Sequence, residues 1–257
     1  MKHIITTLAL LSTTWLSAHA GITSIGKADF CRDRTEDKYI QELLGESESR
    51  MAFANHGGLA NGGVCWWHSR FQRNAAYLTM YRPDLPKPTQ AEAEDLIKDI
   101  RKGKRVVTIP GFQNFNQFSR QFSQEIQSRL ETWQRTDGFI NQSWIRGLRG
   151  KTEVAPEKLR EMMDELYTQV SKGEVVYQMV QLKGIIAHAW LVIDMAQTRD
   201  GYELSVVDSN FPTSTNKYTY RNGMTHFNYP YFGQFVPYTS KDSEQEKLEK
   251  VVSKLCD

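Results

Sequence analysis

The chain has 257 residues, a formal net charge of +2, and 40% hydrophobic against 24% charged residues. This composition excludes a disordered chain, a collagen-like repeat and a cysteine-dense mini-scaffold, and the length suits one large domain or two small ones. The near-neutral charge gives no reason to expect nucleic acid or an anionic membrane as the main partner.

Residues 1–20 open with Lys2 and His3, continue through an apolar run from Ile4 to Leu16, and end on Ala18-His19-Ala20. Small residues two apart after a short apolar core are what a signal peptidase reads, so cleavage is expected after Ala20. The run is too short to span a bilayer and no charged stop follows it. The expected mature chain, 21–257, is a single exported domain, periplasmic or extracellular, with no stable membrane insertion. Disulfides persist in such compartments. The mature chain has Cys31, Cys65 and Cys256. A Cys31–Cys256 bridge would staple the chain ends and leave Cys65 free; the competing pairings put Cys65 in a bridge. Counting alone leaves these open, and the setting of Cys65 favours the first.

Residues 21–56 are polar and mixed, with a short helix expected around Glu36 to Leu44. Residues 21 to about 60 are pro-segment-like, without a clear cleavage signal. Asn55 to Gly63 (NHGGLANGG) reads as a loop. From Cys65, the residues Trp67, Phe71, Ala75 and Leu78 fall on one helical face, and Pro83, Pro86 and Pro88 end the pattern. Thr89 to Lys102 is a second helix, with a Thr89–Glu92 capping box and Gly103 as its stop. Arg105 to Ile109 reads as a strand. Asn114 to Gln134 reads as one helix with an apolar stripe from Phe115 to Trp133 and a solvated Gln/Arg face. Pro156 to Ser171 is a further helix, with Pro156 in its first turn. The period then changes. Glu174–Leu182, Gly184–Met195, Tyr202–Asp208, Lys217–Arg221 and Tyr231–Tyr238 read as antiparallel strands, and Lys241–Leu255 as a charged C-terminal helix. Helices first and sheet second give an α+β class. The helical part is about 36–171 and the sheet part about 174–238.

The chemistry concentrates in two places. Gly62-Gly63-Val64-Cys65-Trp66-Trp67 delivers a cysteine to the first turn of a helix, where unpaired N–H groups favour a thiolate and can hold an oxyanion. His188 sits mid-strand in Ile186-Ala187-His188-Ala189-Trp190. A turn flanked by Met195 and Tyr202 puts Ser209 opposite His188, with Asp208 and Asn210 beside it. A carboxylate there would orient the imidazole. Cysteine, histidine and carboxylate are the parts of a thiol acyl-transfer site. His56, Cys65, His68 and His226 have no metal-motif spacing, and no metal or cofactor is expected. The tyrosines from Tyr218 to Tyr238 read as edge-strand packing or the wall of a substrate groove.

On these residues the sequence resembles the papain-like cysteine peptidases, whose chain order is Cys, His, then Asn or Asp. Cys65-Trp66 at a helix start, His188-Ala189-Trp190, and Asp208-Ser209-Asn210-Phe211 look most like a divergent bacterial branch with Asp as third member, often in an Asp-x-Asn turn. The resemblance covers about Gly62 to Leu78 and Gly184 to Phe211, and does not extend to the helical stretch from Leu85 to Ser171. It implies a papain-like α+β fold and a catalytic Cys65, His188 and Asp208, with Asn210 and Trp66 as auxiliaries. The family's glutamine before the nucleophile is missing. Leu59 stands six before Cys65, Asn61 is the nearest amide and the expected oxyanion donor, and Asn55 is a weaker one. The implied activity is hydrolysis of peptide amide bonds in a protein or peptide substrate, by a monomer. A transglutaminase-like acyltransferase, a cell-wall amidase on the same triad, and an inactive binding module are the competing functions.

Overall fold

The computed structural model describes residues 26–59, 62–140, 151–183, 187–229, 233–239 and 243–257. The expected signal peptide and Asn61 lie outside the described residues.

The chain order is α1 (Lys27–Arg34), α2 (Tyr39–Gly45), α3 (Cys65–Leu78), β1 (Thr79–Arg82), α4 (Gln90–Lys102), β2 (Val107–Pro110), α5 (Phe115–Gln121), α6 (Ser123–Ile140) and α7 (Pro156–Val170). The strands β3 (Val176–Gln181), β4 (Ala187–Gln197), β5 (Gly201–Asp208), β6 (Thr215–Arg221), β7 (Phe227–Tyr229) and β8 (Gly233–Tyr238) follow, and α8 (Ser243–Cys256) closes the chain. The class is α+β. The six-stranded sheet runs β6-β5-β4-β3-β8-β7 and is antiparallel throughout.

Local signals place several elements directly. The α4 capping box forms at Thr89 and Glu92, and Gly103 ends the helix with φ 63°. Only glycine enters that left-handed region cheaply. Pro156 starts α7 where its missing N–H costs nothing.

Four features depart from the sequence reading. α1 lies in a stretch read as irregular. Its polar residues have tertiary work: Arg34 donates to the carbonyls of Ala76 (2.7 Å) and Tyr77 (3.4 Å), satisfying the C-terminal end of α3. The helix expected over Asn114–Gln134 breaks at Phe122, where φ −110° and ψ 35° separate α5 from α6. The break lets Phe112, Phe118 and Phe122 pack as a cluster with centroids 5.3–6.0 Å apart. β1 follows α3 at once and pairs in parallel with β2 across α4, a small βαβ unit within the helical half. β7 was not expected at all.

The middle of the sheet is buried on both faces, while the edge strand β6 is largely exposed. Tyr177, Met179, Ala189, Leu191 and Val207 pack with α3 and the helical half. Val176, Val180, Trp190, Val192 and Val206 pack with Leu159, Met163, Leu166 and Val170 of α7 and with the aromatic residues of β6–β8. Tyr218, Tyr229 and Phe235 therefore form core with Trp190, whose ring centroid is 4.7 Å from Tyr218 and 5.4 Å from Phe235. No helix among the described residues is long and apolar enough to cross a membrane.

The termini are joined. Cys31 of α1 and Cys256 of α8 form a disulfide across 225 residues of sequence, and Cys65 is free. Residues 26–59 belong to the body of the fold: Phe30, Leu44 and Met51 are fully buried. Arg50, also buried, donates to the carbonyls of Leu44 (2.6 Å) and Gly45 (2.8 Å) at the end of α2. Burial lowers its pKa to about 10, so it stays charged at neutral pH, facing the negative end of the helix.

Candidate active site

Cys65 is the first residue of α3, and Val64 before it carries no capping side chain. The first-turn N–H groups thus keep their partial positive charge near the sulfur. The loop that delivers Cys65 is closed on itself by Gly63 N–H to Gly57 O at 2.9 Å. It rests on the polar face of α6. Gln134 donates to Gly63 O (2.9 Å) and accepts from Leu59 N–H (2.8 Å), Gln127 donates to His56 O (2.9 Å), and Gly58 N–H donates to Glu131 (3.2 Å). The glutamine face read as solvated is therefore the seat of the nucleophile loop. Gly63 has φ 81°, and a Cβ there would stand 2.2 Å from the Asn55 side chain.

His188 and Asp208 meet across β4 and β5, in a register that differs from expectation. β4 runs on to Gln197, which pairs with Tyr202, and a bulge between Val192 and Asp194 shifts the ladder by one. Asp208 consequently faces Trp190 rather than lying beside His188. Residues two apart on a strand share a face, so His188 and Asp208 are diagonal neighbours within side-chain reach. The bulge also ends the expected alternation: Asp194 is exposed and Met195 enters the core.

The imidazole Nε2–H donates to Asp208 Oδ1 at 2.7 Å. Asp208 is fully buried, and its carboxylate also accepts from Asn210 N–H (2.8 Å) and the Tyr229 hydroxyl (3.3 Å). The Cys65 side chain is hydrogen-bonded to the same imidazole. With Nε2 taken, Nδ1 is the nitrogen left for the sulfur. Burial, the largest single influence, pushes the His188 pKa down, but the Asp208 hydrogen bond and the Cys65 hydrogen bond and charge together raise it to about 10. His188 and Cys65 are 4% and 7% exposed, so these charges act on one another with little water between them.

A residue not expected to have this role ties the parts together. Asn55 Oδ1 accepts from Val64 N–H at 2.6 Å, immediately before Cys65. Asn55 Nδ2 donates to Asn210 Oδ1, and Asn55 N–H donates to Ser209 O at 2.8 Å. One side chain thus couples the nucleophile loop to the turn that carries Asp208. Its amide NH2 gives one of its two hydrogens to Asn210. Asn210 acts through both its N–H and its side chain. His68, one turn after Cys65, holds Phe53 O at 2.9 Å and so fixes the strand of chain leading to Asn55. Burial lowers its pKa to about 4, which makes it neutral and leaves Nε2–H as the donor. Trp66 is buried against Trp67, with centroids 6.1 Å apart.

Among the described residues no group of three or more His, Cys, Asp or Glu is placed to hold a metal ion. A buried thiol, an imidazole and a carboxylate joined in series can generate a nucleophile, move one proton and stabilise the resulting imidazolium. Comparison with family models, with curated proteins and with solved structures finds no match for this chain.

Proposed function

We propose that this chain is an exported thiol hydrolase of papain-like type that cleaves peptide amide bonds through Cys65, His188 and Asp208. The observation that carries the reading is the His188 imidazole held between the Cys65 side chain and the Asp208 carboxylate, 2.7 Å from the latter. An inert structural cysteine needs no such partner, and an imidazole raised to about pKa 10 favours the imidazolium–thiolate pair. The order of nucleophile helix, histidine strand and carboxylate strand also supports the family likeness. The disulfide and the signal-like N-terminus support export.

In this reading the Cys65 sulfur attacks the scissile carbonyl, and the oxyanion forms against the Cys65 N–H, with Asn61 as the expected second donor. The tetrahedral adduct collapses as His188 gives its proton to the leaving amine, leaving a thioester on Cys65. His188 then takes a proton from water, the hydroxide attacks the thioester, and acid and free thiolate result. Asp208 keeps the ring oriented throughout.

The direct test is to incubate the mature protein with a complex peptide mixture, with and without an added primary amine, and to identify products by mass spectrometry. New carboxyl termini, lost after alkylation of Cys65, are expected. Amine adducts without cleavage would reassign the triad to acyl transfer, and no thiol-dependent product would remove the enzymatic reading.

Asn55 yields a separate prediction. Asn55→Ala removes the link between Val64 and the Asp208 turn, and a misplacement of about 1 Å costs on the order of 10²-fold in turnover. Asn55→Asp keeps the acceptor for Val64 N–H and loses the donor to Asn210, so it should fall between. The pH at which activity declines on the alkaline side should not move, because the His188–Asp208 contact is intact. Wild-type kcat in Asn55→Ala would show that the clamp is dispensable.

A further inference from the structure

A cavity of about 590 Å³ opens between α3, the C-terminal end of α4, α6 and α8, apart from the Cys65–His188–Asp208 cluster. Its apolar part is formed by Trp133, Leu248 and Val251; Leu248 is 2% exposed. Its polar part is cationic. Arg70, Arg101, Lys102, Lys104, Lys247 and Lys250 line it against a single carboxylate, Glu244, in a chain whose net charge is only +2. Arg70 is committed to Asp137 (3.1 Å) and Glu244, and Lys102 lies 3.6 Å from Asp99. Among the described residues Arg101, Lys104, Lys247 and Lys250 have no carboxylate within ion-pair distance.

Helix electrostatics account for part of this. Arg101, Lys102 and Lys104 stand at the negative end of α4, where cations are favoured. Lys247 and Lys250 gain nothing there, since they sit in the body of α8. That helix sorts its charges: Glu246 and Glu249 face a different groove, while Lys247 and Lys250 face this one.

We infer that this cavity binds an acidic peptide segment, seating one apolar side chain against the partly exposed Val251 between carboxylates held by the surrounding lysines and Arg101. The alternatives fit less well. Base stacking needs an open aromatic face, and Trp133 lies under the guanidinium groups of Arg70 (4.6 Å) and Arg101 (5.4 Å). A membrane-docking face presents apolar groups outermost, whereas here they form the floor and the large exposed apolar residues Leu59, Leu85 and Phe211 lie elsewhere. Burial is the main influence lowering the pKa of the half-buried Arg101; Asp137 opposes it, and Arg129 and Arg70 add to it.

The inference does not depend on Cys65 being a nucleophile. The probe is a blocked, fluorescein-labelled peptide of glutamates around a central leucine, followed by fluorescence anisotropy with the mature protein and again with its Cys65→Ala variant. Saturable binding, equal in the two proteins, is expected. It should weaken by about tenfold or more in Lys247→Glu/Lys250→Glu, and also when salt rises from about 0.05 to about 0.5 M. A peptide with glutamines in place of the glutamates, and one with alanine in place of leucine, should each bind several-fold more weakly. No saturable binding, binding unchanged in the double variant, or binding of anionic vesicles in place of the peptide would each overturn it.

Discussion

Asp208→Asn is expected to lower turnover by on the order of 10³–10⁴-fold while leaving the fold in place. Asparagine is nearly isosteric with aspartate, so the pocket stays filled. It can still accept the His188 Nε2–H through its oxygen, but it carries no charge. The Asp208 hydrogen bond is the strongest influence raising the His188 pKa. Without the negative charge, burial is opposed only by Cys65, and the imidazolium becomes hard to form in a site that is 4% exposed.

The pH dependence follows with a definite sign. The folded-state pKa of His188, about 10, lies above the ordinary value of 6.5. The stability that depends on the imidazolium is therefore fully present below about pH 6.5 and is lost as pH rises through about 10, and the imidazolium half of the reactive pair is lost with it. The alkaline limb of kcat/KM should fall near pH 10 in the wild type and move to lower pH in Asp208→Asn. An unmoved alkaline limb, measured alongside thermal melts that show both proteins folded, would separate Asp208 from the titration of His188.

What the sequence shows of this site depends on the range of the forces involved. The start of α3 at Cys65 and the ends of α4 are legible because their signals lie within a few residues: glycines before the cysteine, Thr89 with Glu92, and Gly103. The pairing of His188 with Asp208 is legible for a similar reason, since one hairpin joins them. Its register is not, because the bulge near Asp194 depends on which side chains the two packed faces of the sheet accept. In the expected register Asp208 would oppose Ala189 and point away from His188; the observed register, one residue different, turns it to the face that His188 and Trp190 share.

Asn55 shows where local reading stops. In an Asn- and Gly-rich segment it looks like an ordinary turn residue. Its partner Asn210 is 155 residues away, and only the folded sheet brings the two together. The same limit applies to α6, whose glutamines look solvated until His56, Leu59 and Gly63 are laid across them. It applies again to residues 26–59, a stretch with a pro-segment's composition that holds Asn55, buried Phe30 and one end of the disulfide. Cutting it away would remove the clamp on the nucleophile.

The Cys31→Ser/Cys256→Ser protein is expected to lose about 3–5 kcal/mol of stability, with a fall in melting temperature of roughly 10–20 °C. The bridge closes 225 residues of sequence. Loop-closure entropy grows only logarithmically with length, which sets a ceiling of about 5 kcal/mol for a cross-link of this span. Wild-type protein in reductant should reproduce the shift, since Cys65 is already a free thiol. The effect should reach α8 first. Glu244 near its start binds both Arg70 and Arg73 of α3, and Gln245 donates to the Tyr77 hydroxyl at 2.6 Å, so α8 buttresses the nucleophile helix from behind. The bonds joining Cys65, His188, Asp208 and Asn55 contain no atom of α1 or α8. Thiol reactivity of Cys65 well below the lowered melting temperature should therefore match the wild type, while acidic-peptide binding, which uses Lys247 and Lys250 of α8, should weaken. Equal melting temperatures with and without reductant would show that packing of Phe30 and Leu248 alone holds the chain ends. Loss of Cys65 reactivity in a fully folded double variant would show instead that α8 takes part in setting the site.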